Sequence, residues 1–424
     1  MRVQAIALAD ETRRLHRGFP PKGAWLFLTP NLDISRLAPL ATGDGDDLEY
    51  LDLRTTLAET VCPDDAQRGE PPDLVLVHTD FGQEEPAREL EGRLAGRKLP
   101  RLFFGPLVTA WGDDAPGWLP ARVLGDIINA WPEVRRDATA GRLRPCYRAS
   151  TSPTYVPPQR PFGQWPETNA TARTTSFIVG CHCRPPVDRW CRNRLYYGSE
   201  RRQRACDEVI AELLTSPGKQ VTLLDDDVAA EPDYYAEMFQ RVAHCHQQWV
   251  VRASPELFDH PRFIRLLAKS GVRLVFLNEP FLDGQLEPAV ADKRRLQQLR
   301  RRVKTLQSAR MLVGARVLIR LDPAQPPDFE PLAQALQHID LDLVEPRCMV
   351  PDGTGDWRPW SFGYRPMLTS REPGWLSNRF YSMAAILDRA ARRPRRTGFY
   401  TTARYLLPYS LAYRQDSLEG LQAN

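Results

Sequence analysis

From residue 176 to residue 344 the chain repeats one pattern, a short apolar run, a polar turn and a longer stretch with helical spacing. Six β-like runs stand at 176–179, 220–224, 249–253, 272–277, 316–321 and 341–344. Helical patterns at 200–214, 232–243, 255–270, 292–308 and 328–338 separate them. Asp233 and Asp328 fall in first turns, where a carboxylate favours the helix dipole. Strands that each need a helical crossover before the next lie parallel, so the alternation predicts a parallel barrel or an open part of one. Eight units are not present. Beyond Val344 the pattern gives way to a Pro- and Trp-rich stretch and then to helices, so the expectation is a partial (β/α)6 barrel with a short C-terminal helical region.

In such a sheet the chemistry gathers at the carboxyl ends of the strands. The residues there are Cys181, His182 and Cys183, then Asp225, Asp226 and Asp227, Arg252 and Ser254, Asn278 and Glu279, Arg320 and Asp322, and Glu345 and Arg347. A solvated rim without chemistry weighs equally until the cysteines are considered. No apolar run approaches the ~18 residues that span a bilayer. The first ten residues are too short an apolar stretch for a signal peptide, and Glu11, Arg13 and Arg14 follow. A reducing cytoplasm is therefore expected, where disulfides are poor candidates. Of eight cysteines, Cys181, Cys183 and Cys191 cluster within one loop. Three thiolates on one loop can hold three irons of a [4Fe–4S] cubane and leave the fourth iron open.

The loop runs Gly180-Cys181-His182-Cys183-Arg184-Pro185-Pro186-Val187-Asp188-Arg189-Trp190-Cys191, after the first strand of the expected barrel. Its place is that of the CxxxCxxC motif of radical S-adenosylmethionine enzymes, and its spacing differs. The flanking segments RLYYGSERRQRACDEVIAEL (194–213), VTLLDDDVAAEPDYYAEMFQRV (221–242), WVVRASPELFDHPRFIRLLAKSGVRLVFLNEPFL (249–282) and NRFYSMAAILDR (378–389) carry the resemblance. Over about residues 174 to 390 the chain resembles the cobalamin-binding-domain subgroup of that superfamily. The resemblance implies a TIM-type partial barrel and a [4Fe–4S] cluster on Cys181, Cys183 and Cys191. It also implies S-adenosylmethionine held near Asp226, Arg252, Glu279 and Arg320, with cobalamin as a second cofactor. Counted back from Gly198, Cys191 falls on the family's third cysteine and Asp188 on its second, while Cys181 lies three residues early. Cys183 is the extra thiol available as the middle ligand. Glu279 is displaced by one residue from the family's glutamate. Arg320 replaces a glycine, with Asp322, Glu345 and Glu279 as its candidate partners, and Pro351-Asp352-Gly353-Thr354 replaces a Pro-Gly-Thr loop. The cobalamin-ligand motif Asp-x-His-x-x-Gly is missing. Two readings follow: an enzyme that methylates or rearranges at an unactivated carbon of a small molecule or peptide, and a non-catalytic accessory subunit that keeps the fold.

The first third alternates strands at 24–28, 48–53, 74–78, 101–104 and 122–124 with a helix at 85–95 that presents Leu90 and Leu94 on one face. This predicts an α/β, doubly wound, Rossmann-like and cobalamin-binding-like sheet. No glycine-rich phosphate loop follows its first strand, where Thr29-Pro30-Asn31-Leu32 stands. Thr29-Pro30 and Thr79-Asp80, at two strand ends, are the places for a corrinoid or an emptied version of that site. Periodicity is lost near Pro132, and Pro153, Pro157, Pro158 and Pro161 mark an extended linker. The expected division is 1–131, linker 132–173, barrel 174–346 and extension 347–424. Cys62, Cys146, Cys206 and Cys348 read as small buried hydrophobes. His244-Cys245-His246 sits at a helix end, where successive residues diverge, and reads as structural. The basic tail, Arg389, Arg392, Arg393, Arg395, Arg396, Tyr400 and Tyr405, reads as a solvated helix ahead of a surface for RNA or a protein partner. A net charge of +4, from 57 basic and 53 acidic residues, calls for neither nucleic acid nor an anionic membrane.

Overall fold

The computed structural model describes residues 1–8, 31–53, 71–81, 83–152, 154–158, 162–163, 172–181, 191–215, 220–278, 293–320, 329–351, 357–359, 380–407 and 410–411. The first sheet is built on a strand that the sequence reading did not find. β1 (Arg2–Ala7) lies inside it, between β3 and β2, with Val3, Ala5, Ile6 and Ala7 all buried. A strand covered on both faces needs a continuous apolar run and shows no alternation, so six residues at a chain start carry little signal. After it come α1 (Leu32–Gly43), β2 (Asp47–Asp52), β3 (Leu74–His78), α2 (Glu84–Ala95), β4 (Arg101–Phe104), α3 (Pro106–Trp111), β5 (Arg122–Leu124), α4 (Ile127–Thr139), β6 (Cys146–Arg148) and β7 (Phe162–Gly163). The order is β6-β5-β4-β3-β1-β2-β7, and the pairings are parallel. Ile34, Leu37, Trp131 and Val134 of α1 and α4 cover one face, while Ala87, Leu90 and Leu94 of α2 cover the other. The chain leaves β1 for β2 on one side and returns to β3 on the other, which opens a crevice at their carboxyl ends.

The strands at β3, β4 and β5 lie where the sequence places them, and the strand expected at 24–28 falls outside the described residues. The loss of periodicity at Pro132 is corrected. α4 runs through Pro132, because the helix buries Trp131 and Val134 on either side of it, and that burial outweighs one missing backbone hydrogen bond. Within the stretch read as an extended linker, Tyr155 is half-buried. Its hydroxyl donates to Glu212 Oε1 at 2.9 Å, and the Arg204 guanidinium lies 3.7 Å from its ring centre.

The second half forms β8 (Ala172–Thr175), β9 (Ile178–Gly180), α5 (Arg192–Tyr197), β10 (Arg201–Gln203), α6 (Cys206–Thr215), β11 (Gln220–Leu223), α7 (Pro232–Val242), β12 (Gln248–Ala253), α8 (Pro261–Lys269), β13 (Val272–Leu277), α9 (Lys293–Ser308), β14 (Leu312–Arg320), α10 (Phe329–Ile339), β15 (Leu343–Pro351), β16 (Trp357–Pro359) and α11 (Met383–Arg392). Strands β8, β11, β12, β13, β14 and β15 lie side by side in chain order and parallel, and β16 closes the edge antiparallel. The run read as one strand at 176–179 is two pieces. β8 joins the sheet four residues earlier, and β9 pairs antiparallel with β10, so the helix expected from residue 200 begins at Cys206. β15 continues past Val344 to Pro351 and forms a hairpin with β16, which places Glu345 and Arg347 inside a strand and not at its end.

The tail is corrected as well. Arg393 is fully buried, and its guanidinium is shared by Asp340 and Asp342. Arg389 is buried over the Phe380 ring at 4.1 Å, and the Tyr405 hydroxyl donates to Gln248 Oε1 at 2.7 Å. A helix with basic residues on its inner face looks solvated until the carboxylates that receive them are placed. Among the described residues no helix is long and apolar enough to cross a membrane.

Candidate metal and cofactor site

The cysteine loop departs from β9 through Gly180, at φ +141°. A Cβ there would stand 2.6 Å from the Glu200 carbonyl oxygen and 2.9 Å from Arg201 Cα, so only glycine lets β10 approach this closely. Cys181 follows it, and Cys191 immediately precedes α5. Their sulfurs lie 3.4 Å apart. Asp226, just beyond β11, joins them: the two Sγ atoms and a carboxylate oxygen all lie within 4.8 Å of one another. Asn193 Nδ2 donates to Asp226 Oδ2 at 3.2 Å, and Asn278 Nδ2 donates to the Asp226 carbonyl at 2.6 Å. Arg252 lies in the neighbouring strand β12, half-buried, with its carbonyl accepting from Val228 N–H at 3.0 Å. Cys183, Asp188, Glu279 and Asp322 fall outside the described residues, as does the side chain of Arg320, whose backbone ends β14. Cys206 is buried, as expected of a lone thiol. His244 turns back on its own helix end, with Nδ1 at 2.6 Å from the Arg241 carbonyl oxygen.

The three consecutive aspartates divide into three roles. The chain leaves the sheet after β8, so the N–H groups of Phe177 and Ile178 have no ladder partner. Asp225 supplies one, accepting from them at 3.0 and 2.8 Å and from the Tyr235 hydroxyl at 2.7 Å. It thereby anchors the start of the strand that leads to Cys181. Asp227 Oδ1 accepts from Ala229 N–H and Ser254 N–H, each at 2.8 Å. Asp226 alone turns to the cysteines.

Burial pushes the Asp225 carboxyl up to about 7, against the opposing pull of Tyr235 and the two amides. An unfolded aspartate titrates near ~3.9. The folded state therefore binds this proton more tightly, so the contribution of Asp225 to stability is most favourable below about pH 4 and declines as pH rises through 7. Asp225→Asn is expected to flatten the fall in melting temperature between about pH 4 and 7. Parallel slopes for the two proteins would show that this carboxyl does not titrate there.

The carboxyl ends of the first sheet meet α5. Asn31 caps α1, its Oδ1 accepting from Asp33 N–H and Ile34 N–H at 3.1 Å each, which fixes its Nδ2 as donor to His78 Nδ1 at 3.0 Å. His78 must then carry its proton on Nε2, which donates to Asp33 Oδ2 at 3.0 Å. Asp33 also takes an ion pair from Arg192, the residue after Cys191, and the Tyr196 hydroxyl at 2.8 Å. Burial alone would raise its carboxyl, but Arg192 and His78 outweigh that and hold it well below the usual carboxylate range. Beside this group Arg36 pairs with Asp126 at 2.8 Å, and the Tyr197 hydroxyl donates to Asp126 at 3.0 Å. Sequence reasoning missed Asp33, Arg36, Asp126, Arg192 and Asn193 as site residues. The cap pattern Asn31-Leu32-Asp33 was the one available signal.

At the end of β3, Thr79 is fully buried and its hydroxyl has no hydrogen-bond partner among the described residues. Gly105, at φ +122°, brings a backbone so close that a Cβ would stand 2.4 Å from the Thr79 carbonyl oxygen. The crevice at the carboxyl ends of β1 and β3 is where open sheets of this kind take ligands, and the Thr79 hydroxyl is enclosed beneath it. His78 does not fit as an axial ligand, since both its ring nitrogens are engaged. The two thiols fit iron or another thiophilic metal.

No family model matches the chain. Bacteriochlorophyllide d C-12(1)-methyltransferase of Chlorobaculum tepidum is 23% identical over 239 residues, 54% of this chain and 51% of that protein. Among solved structures, the radical S-adenosylmethionine methyltransferase TsrM from Kitasatospora setae, with cobalamin and a [4Fe-4S] cluster bound, gives a TM-score of 0.53 at 14% identity over 82% of this chain and 72% of that one. The cobalamin-dependent S-adenosylmethionine radical enzyme OxsB, with aqua-cobalamin bound, gives 0.52 at 12% identity over 81% and 53%. The chain spans about half the length of the curated relative it matches. The structural likenesses establish a shared mixed α/β fold with parallel sheets.

Proposed function

We propose that this chain, which shares its fold with cobalamin-dependent radical S-adenosylmethionine enzymes, is a divergent member of that subgroup acting in methylation at an unactivated carbon. The observation that carries the reading is that the fold brings Cys181, just past β9, and Cys191, just ahead of α5, to one place with Asp226 beside them. Cys181, Cys183 and Cys191 would hold a [4Fe–4S] cluster, and Asp226, Arg252, Glu279 and Arg320 would hold S-adenosylmethionine. Cobalamin would lie at the carboxyl ends of the first sheet, in the crevice by β1 and β3. These cofactors supply one-electron and methyl-transfer chemistry. The chain's own part is to fix Cys181 through Gly180 and Asp225, to fix Cys191 through the Arg192–Asp33 pair, and to orient Asp226 through Asn193 and Asn278. On this reading β1 to β7 with their helices form the cobalamin-side unit, and β8 with β11 to β15 an open (β/α)6 barrel, with the segment from α11 onward as its extension.

Anaerobic reconstitution with iron and sulfide tests it. The expected result is about four irons per chain, falling to background in Cys181→Ala and in Cys191→Ala. Iron content unchanged when Cys181, Cys183 and Cys191 are all replaced would defeat the assignment. A loaded cluster without calorimetric binding of S-adenosylmethionine would favour the second reading, an accessory subunit, which the replacement of a family glycine by Arg320 supports.

A further inference from the structure

The donor geometry at the cysteine loop is tighter than a cluster needs. Two thiolates on one tetrahedral ion, each at ~2.3 Å from it, stand ~3.7 Å apart. The sulfurs of Cys181 and Cys191 are 3.4 Å apart, and the carboxylate oxygen of Asp226 lies within 4.8 Å of both. Thiolates that serve different irons of one cubane are held farther apart than thiolates on a single ion. Asp226 reaches the pair from another strand, and it is oriented rather than loose: Asn193 donates to its carboxylate at 3.2 Å and Asn278 to its carbonyl at 2.6 Å. Hydrogen bonds of this kind, one step out from a metal, are what aim a ligand. Two soft sulfurs and one carboxylate oxygen are donors that suit a zinc-like ion.

We infer that the cluster-free chain binds a single thiophilic divalent cation, of the zinc type, through Cys181, Cys191 and Asp226. Binding displaces the thiol protons of the two cysteines to solvent and leaves the oxidation state of every atom unchanged. Loading a cluster on the same loop requires the two sulfurs to separate, so the two metal states exclude each other. This site makes no use of Cys183, and it stands whether or not the cluster reading holds.

Cobalt(II) titration of chelator-treated protein, prepared without oxygen, tests the site directly. One cobalt per chain is expected, with sulfur-to-cobalt charge-transfer absorption and the intense visible bands of tetrahedral coordination, both removed by zinc. Asp226→Ala is expected to weaken binding by more than about tenfold, since even indirect partners of a metal contribute that much. Asp226→His, which returns a ligand atom, restores the tetrahedral spectrum, while Cys183→Ala leaves it unchanged. Circular dichroism on each variant separates loss of a ligand from loss of the fold. Weak octahedral spectra in the wild type, equal affinity in Asp226→Ala, or loss of binding in Cys183→Ala would each overturn the site. Protein that takes cobalt but never iron and sulfide would retain this inference and defeat the cluster reading. Protein that takes a cluster but no cobalt would do the reverse.

Discussion

Asp33→Ala is expected to lower stability by about 3 kcal/mol and to loosen the second sheet from the first. Asp33 is 1% exposed and collects three donors, from Arg192, from Tyr196 at 2.8 Å and from His78 at 3.0 Å, with Arg36 Nη1 at 3.9 Å. Removing the carboxylate leaves the Arg192 cation beside Arg36 with no charge between them. Breaking one side of a buried pair costs roughly 3–5 kcal/mol. Arg192 keeps a quarter of its side chain in water, which places the expected loss at the lower end of that range. Asp33→Asn, which keeps an acceptor and drops the charge, should lose less. Because the carboxyl is held below its ordinary range, its contribution is complete above about pH 4 and is lost as pH falls further. Urea unfolding, together with limited proteolysis between the two sheets, reads both effects. A loss below about 1 kcal/mol would reduce this cluster to the worth of a surface pair.

Arg393→Ala is expected to cost about 3–5 kcal/mol, because it removes the buried cation that two carboxylates share and leaves Asp342 with neutral donors alone among the described residues. The guanidinium bonds to Asp342 through Nε, to Asp340 Oδ1 at 3.0 Å and Oδ2 at 3.2 Å, and to the Asp340 carbonyl at 2.7 Å. Asp342 is fully buried, accepts from Val313 N–H at 2.8 Å at the start of β14, and so ties the tail to the sheet. Asp340 takes this position at φ +70°, a conformation aspartate tolerates better than most residues. The triple change Arg393→Met, Asp340→Asn and Asp342→Asn removes the charges together and should recover most of the loss. Thermal melts of the single and triple variants check this, and equal destabilisation of both would place the effect in packing rather than charge.

The legible parts of the fold were those whose signal is local. Runs such as 74–78 and 101–104 read as strands because a parallel sheet with both faces covered requires unbroken apolar residues. The division at residue 176 was misread because nothing local distinguishes Thr175 from Ile178. That break is made by Asp225, which captures two amides from 47 and 48 residues away, and by Gly180, which admits β10. The basic tail was misread for the same reason, since its carboxylates belong to the turn before β15. At the candidate site, the cysteines announced themselves by clustering. Asp226 was one polar strand end among several, and Asn193 was not visible at all.

The sequence by itself determined which segments alternate as strand and helix, and that three thiols fall within eleven residues of one another. Those are properties of spacing, and spacing is written in the chain. Only the tertiary structure decided that Asp226 faces the thiols while Asp225 and Asp227 do not, and that Arg192 closes on Asp33 across 159 residues. Neighbouring side chains on an extended segment point apart, and charges distant in the chain meet only through the crossover geometry, so neither outcome follows from local pattern.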